Sequence, residues 1–134
     1  MVRRALGTLV LDTGAVIGLA RGDRRLRALI DAAQRAGTEV RVPMVVVAEA
    51  TRGHGPRDAS TNLVLHRLQP HPPLDEPTAR RAGALLAGAG TSNTIDALVA
   101  AEAVRQAPST LLTGDPHDLR QLLYDEPDVR VEAI

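Results

Sequence analysis

Lysine is missing: all sixteen basic residues among the chain's 134 are arginine. No Schiff-base lysine and no P-loop lysine can therefore operate here. Arginine-only usage beside abundant alanine and glycine also matches the coding bias of a GC-rich genome. Cysteine is missing too, which excludes disulfides and thiolate zinc sites and is compatible with a reducing compartment. Aromatic residues amount to one tyrosine. The core must then be built from Leu, Val, Ile and Ala, and a base-stacking platform for RNA is hard to assemble. Net charge is zero, sixteen acids against sixteen bases, so charge alone gives no broad grip on nucleic acid. No apolar run approaches the roughly 20 residues that span a bilayer. The opening "MVRRALGTLVLD" lacks the pattern of a signal peptide. A cytoplasmic protein with no membrane association is expected. The four histidines, His54, His66, His71 and His117, form no HxH or HxxxH pair and hence no zinc set.

What is present reads as one globular domain over residues 1–134, with enough apolar residues (44%) for a real core. "LGTLVLD" (6–12) is a buried strand ending on a polar turn. "TGAVIGLARG" is a short helix. "DRRLRALIDAAQRAG" (23–37) is a longer one, with Asp23 as N-cap and Gly37 as stop. "TEVRVP" (38–43) is a second strand. "MVVVAEATRGHG" (44–55) is ambiguous: three valines favour a strand, whereas Pro43 at the entry, "AEA" and Gly53 favour a helix. "DASTNLVLHRLQ" (58–69) is a further helix, and residues 69–72 leave room for a short third strand. Helices follow at 75–90 and 93–107, a buried strand at "STLLTGD" (109–115), a short helix at "PHDLRQLLY" and a closing strand at "DVRVEAI". Strands alternating with helices predict a three-layer α/β domain with a mostly parallel sheet. Ligands of such folds bind beyond the carboxyl ends of the strands.

Asp12 and Asp115 both stand at expected carboxyl ends of strands. Each acid has an ordinary structural explanation. Asp12 can cap the following turn, and Asp115 in "DPHD" is placed as a helix N-cap. Asp96 in "NTID" resembles the acid of a capping box, and Glu49 in "AEA" is placed as a solvent-facing residue. Taken together they suggest something else. Every element that feeds the sheet's carboxyl edge brings one acid in an apolar setting. Converging carboxylates repel, and a divalent cation removes that penalty. An all-oxygen set suits Mg²⁺ or Mn²⁺ rather than zinc. A bound ion of this kind acidifies water for attack on a phosphodiester.

"LVLDTGAVIGLARGD", "VVVAEATRG", "TIDALVAAEA" and "TLLTGDPHDL" together resemble the PIN domain, particularly the VapC-type toxins of bacterial toxin–antitoxin pairs. The likeness covers nearly the whole chain, in order. It implies a five-stranded parallel sheet of order 3-2-1-4-5, a helix around Glu49, and Mg²⁺- or Mn²⁺-dependent endoribonuclease activity on structured RNA such as tRNA or rRNA loops. It also implies a homodimer and a VapB-like antitoxin that plugs the active-site groove. Asp12, Glu49, Asp96 and Asp115 match the family's four acids, and Thr13 and Thr113 its flanking hydroxyls. "TSNT" before Asp96 is within the family pattern, and Asp118 is an extra acid that some members use. The ion is expected on Asp12, Asp96 and Asp115, with Glu49 orienting the attacking water or helping a second ion. Arg21, Arg24, Arg25 and Arg27 are candidates for RNA phosphates or the wet face of a helix, and the helix starting at Pro116 offers its N-terminus. The apolar runs "AVIGLA" and "MVVVAEA" suggest a groove that a partner covers. Two alternatives are an aspartyl-phosphate phosphotransfer domain, which the missing lysine disfavours, and a catalytically silent PIN-like protein-binding module.

Overall fold

The computed structural model describes residues 7–90 and 93–134. Thr91 and Ser92 of the "TSNT" segment lie outside the described residues. The elements run β1 (Thr8–Leu11), α1 (Thr13–Ala20), α2 (Arg24–Arg35), β2 (Val40–Arg41), α3 (Met44–Ala50), α4 (Gly55–Arg67), α5 (Glu76–Ala89), α6 (Thr94–Arg105), β3 (Ser109–Thr113), α7 (Pro116–Leu122) and β4 (Val129–Ala133). All strand pairings are parallel, in the order β2-β1-β3-β4.

The sheet thus has four strands among the described residues, where five in the order 3-2-1-4-5 were expected. The missing one is the short strand at 69–72. That segment reads Gln-Pro-His-Pro, followed by Pro73, and proline has no N–H to donate to a ladder. What remains is an irregular connection between α4 and α5. The expected second strand also shrinks, to Val40–Arg41, because Pro43 closes it.

The ambiguous segment 44–55 is a helix as far as Ala50. Pro43 stands at its N-cap and its carbonyl accepts from Val46 N–H at 2.9 Å. α2 starts where Asp23 caps it, the Asp23 carboxylate accepting from Leu26 N–H at 3.0 Å. α4 begins earlier than expected, at Gly55, with Pro56 in its first turn. Asp58 bends back to accept from the N–H groups of Arg52 and His54 and so ties down the turn that precedes the helix.

The core is aliphatic, as the lack of aromatics required. β1 and β3 lie at the centre of the sheet, with Val10, Leu11 and Leu111 fully buried and Leu9 and Leu112 nearly so. α6 lays an alanine-rich face, Ala97, Ala100 and Ala103, against this core. Alanines keep that helix close to the sheet. Ala15 and Val16 of α1 and Val46 of α3 are also buried. The run "AVIGLA" thus turns half of its residues into the interior, whereas "MVVVAEA" buries only Val46 and leaves Met44 exposed.

Candidate active site

The carboxyl ends of β1 and β3 are neighbours in register, Leu11 opposite Leu112. Asp12 and Thr113 follow those residues directly. The Thr113 hydroxyl, fully buried, donates to Asp12 Oδ2 at 2.6 Å and accepts from Asp115 N–H at 2.9 Å. One hydroxyl thereby ties the first acid to the backbone of the fourth. The other Asp12 oxygen accepts from Thr13 N–H at 2.6 Å, at the start of α1. Asp12 does act as a helix cap, and it is 8% exposed. Burial pushes its carboxyl above the usual range, against the two hydrogen bonds that hold it down. The charges of Glu49 and Asp115 push in the same direction as burial.

Glu49 sits in the last turn of α3. Its Oε1 accepts from the Thr13 hydroxyl at 2.5 Å, so the second acid reaches the first through Thr13. Asp96 lies in the first turn of α6, where the Asn93 side chain accepts from Asp96 N–H at 3.0 Å. Asn93 is therefore a real N-cap, and the bond it accepts uses the backbone of Asp96 rather than its carboxylate. Asp96 Oδ2 is buried without a hydrogen-bond partner. Its carboxyl is pushed up to about 6, first by desolvation and then by the charges of Asp12, Asp115, Asp118 and Glu49. Asp115 occupies the N-cap position of α7, but its side chain makes no capping bond. The cap explanation fails for that residue, and its carboxylate is available to the site.

Asp96, Asp115 and Asp118 each offer an oxygen, and these lie within 4.8 Å of one another. This trio differs from the expected ligand set, Asp12, Asp96 and Asp115, by having Asp118 in place of Asp12. Asp118 stands one turn into α7, and Pro116 followed by a helical turn brings it back towards Asp115. Its spacing from Asp115 gave that signal, but a first-turn acid reads equally well as helix support. The expected acids are thus all brought to one edge, and Asp118 joins them. The donor set is entirely carboxylate oxygen, one of those oxygens is buried and unpaired, and no arginine among the described residues pairs with it. Such a set fits a hard divalent cation.

The arginine candidates stand apart. Arg21 follows the last residue of α1, one helix length of about 12 Å from Asp12. Arg24 and Arg25 open α2, and all three are exposed. No hydrogen bond ties them to the acids.

The chain is thus an α/β protein with a parallel sheet and acids gathered at its carboxyl edge. Within that class, the chain belongs to the PIN domain family, whose profile matches residues 9–122. Two solved structures share the fold. The VapBC2 complex from Rickettsia felis, crystallised with a DNA fragment from its promoter, aligns at TM-score 0.74 and 16% identity, covering 95% of this chain and 98% of that one. FitAcB from Neisseria gonorrhoeae aligns at TM-score 0.64 and 23% identity, covering 92% and 96%. No curated protein matches the chain. No helix among the described residues is long and apolar enough to cross a membrane.

Proposed function

We propose that the chain is a divalent-metal-dependent endoribonuclease and the toxin of a toxin–antitoxin pair, a single domain working in the cytoplasm as a homodimer. The observation that carries the chemistry is Asp96, a carboxylate half-buried among four others with one oxygen left unpaired. A folded protein retains such repulsion where a cation relieves it. Membership of the PIN family supports a nuclease. The folds shared with VapBC2 and FitAcB support an antitoxin partner.

In this reading Asp96, Asp115 and Asp118 would hold Mg²⁺ or Mn²⁺, and Asp12, just past the end of β1, would add its negative charge to the site. When bound, the ion supplies an acidified water and neutralises charge on the scissile phosphate. The chain's own residues do the rest. Thr113 locks the Asp12 carboxylate in one orientation. Thr13 holds Glu49 towards the site, where Glu49 receives a proton from the attacking water. Arg21, Arg24 and Arg25 hold flanking phosphates of a structured RNA such as a tRNA or rRNA loop. With Tyr124 as the single aromatic side chain, selection rests on the shape of the RNA.

Purified protein incubated with single-stranded and hairpin RNA in Mg²⁺ or Mn²⁺ tests this. Cleavage that EDTA stops and that Asp96→Asn abolishes is expected. A wild-type protein that binds the ion but never cuts RNA would point to the silent binding module instead.

A further inference from the structure

Acids crowd the carboxyl edge of the sheet, so a phosphate that approaches it needs a fixed positive charge beside the ion. Among the described residues, one guanidinium is hydrogen-bonded to a member of the acid set, that of Arg52. Its Nη1 donates to the Glu49 carbonyl at 2.7 Å and to the Thr51 carbonyl at 2.8 Å. These carbonyls close the C-terminal end of α3, where partial negative charge favours a cation. The Glu49 carboxylate is engaged separately, by the Thr13 hydroxyl, and no ion pair joins the Arg52 and Glu49 side chains. Arg52 therefore stands beside the second acid without neutralising it.

The turn that carries Arg52 is fixed as well. Asp58, in the first turn of α4 and buried, accepts from Arg52 N–H at 2.9 Å and from His54 N–H at 3.2 Å. Gly53 between them has φ +72°, a conformation that a β-carbon opposes. The backbone donors of this turn are thus taken up by the chain's own carboxylate. What the turn presents outwards is the Arg52 side chain, which is exposed. Nη1 uses its N–H groups on the two carbonyls, and Nε and Nη2 have no partner among the described residues. The Nε–Nη2 edge is left over. It is the edge from which a guanidinium gives two parallel N–H bonds to two oxygens of one phosphate.

We propose that Arg52 grips the RNA phosphate next to the scissile one and so sets the register of the strand over the acids. The inference rests on the nuclease reading above. Arg21, Arg24 and Arg25 make no hydrogen bond or ion pair among the described residues, so each loses its side-chain freedom only on meeting a phosphate. Arg52 has lost that freedom already in the folded protein. A fork fixed in advance gives position as well as affinity, because it holds the strand where the acids can act. The ordinary alternative is a helix cap: the guanidinium satisfies carbonyls that the end of α3 leaves open. A cap needs only Nη1 and no charge, so the amide of a glutamine supplies it equally well.

The test uses the full chain in Mn²⁺ with a labelled RNA hairpin, and copies of that hairpin carrying a single neutral methylphosphonate at each linkage flanking the cut. One such replacement should slow the wild type about tenfold, the loss of one charge-assisted contact. Arg52→Gln keeps a donor for the carbonyls, so it should melt with the wild type, yet cut the all-phosphate hairpin about tenfold more slowly. The methylphosphonate that slows the wild type should then slow the variant by no more than about twofold, because both changes remove the same contact. Arg57→Gln, an exposed neighbour in the first turn of α4, should stay within about twofold of the wild type. Wild-type rate in Arg52→Gln, a full methylphosphonate penalty persisting in it, or an equal loss in Arg57→Gln would overturn the inference and leave the nuclease reading standing. A wild type indifferent to every flanking methylphosphonate would overturn it without any variant. If the wild type leaves the hairpin uncut, the nuclease reading fails instead, and fluorescence anisotropy of the labelled hairpin decides. Binding weakened by Arg52→Gln and not by Arg57→Gln supports the phosphate grip, and equal binding or none overturns it.

Discussion

Asp96 is where the electrostatics of the site concentrate, and its behaviour in the absence of metal is directly measurable. The folded protein holds its proton up to about pH 6, whereas an unfolded chain releases it near 3.8. Between those values the native state binds more protons, so this group lowers stability as pH rises through the window. Above pH 6 the penalty is complete. Asp96→Asn removes it. The metal-free variant should melt a few degrees above the wild type at pH 7.5 and at the same temperature near pH 4, by thermal denaturation in EDTA. A variant less stable than the wild type at pH 7.5 would mean that the carboxylate is held by something other than repulsive neighbours. Thr113 gives the complementary case. Thr113→Val keeps the shape but strands Asp12 Oδ2 and Asp115 N–H, at a cost of about 1–3 kcal/mol in urea unfolding, together with slower RNA cleavage. The acids were legible because each broke an apolar pattern. The lock through Thr113 was not, because a threonine at a strand end is ordinary until its partner 101 positions away is known.

Elements were legible wherever one periodicity dominated. α2 and α6 kept their caps, and β3 its unbroken apolar run. The third strand failed because prolines at 70, 72 and 73 removed the donors that a strand needs, which residue type alone announces. The exposure of β4 was not legible either. A buried parallel strand looks the same whether one layer or two cover it, and the face of β4 appears only once its register with β3 is known. The junction of β1 with β3 offers a test at this scale. Gly7 has φ +76°, and a Cβ there would stand 1.9 Å from the Pro108 carbonyl oxygen, which accepts from Thr8 N–H. Gly7→Ala should therefore destabilise the protein by more than about 1 kcal/mol, since both the left-handed backbone and the close approach oppose it. A neutral effect on the denaturation midpoint would show that this end of the ladder opens freely.

At the scale of the whole molecule, zero net charge and a single aromatic residue, Tyr124, constrain how RNA is held. A few arginine–phosphate contacts, each contributing a slope of about −0.7 for single strands, give a shallow salt dependence, about two to four ions released. Replacing Arg24 and Arg25 together with serine should weaken binding to every RNA alike and leave the cleavage position unchanged, because phosphate contacts position without specifying. A moved cleavage site would show that these arginines read bases. The central claim, that the acids at the carboxyl edge form one cation site, is tested most directly by titrating the wild type and Asp96→Asn with Mn²⁺ at pH 7.5. Calorimetry should show saturable binding to the wild type, with a matching rise in melting temperature, and at least a tenfold loss of affinity in the variant. Equal affinity in the two proteins, or no binding to either, would contradict it.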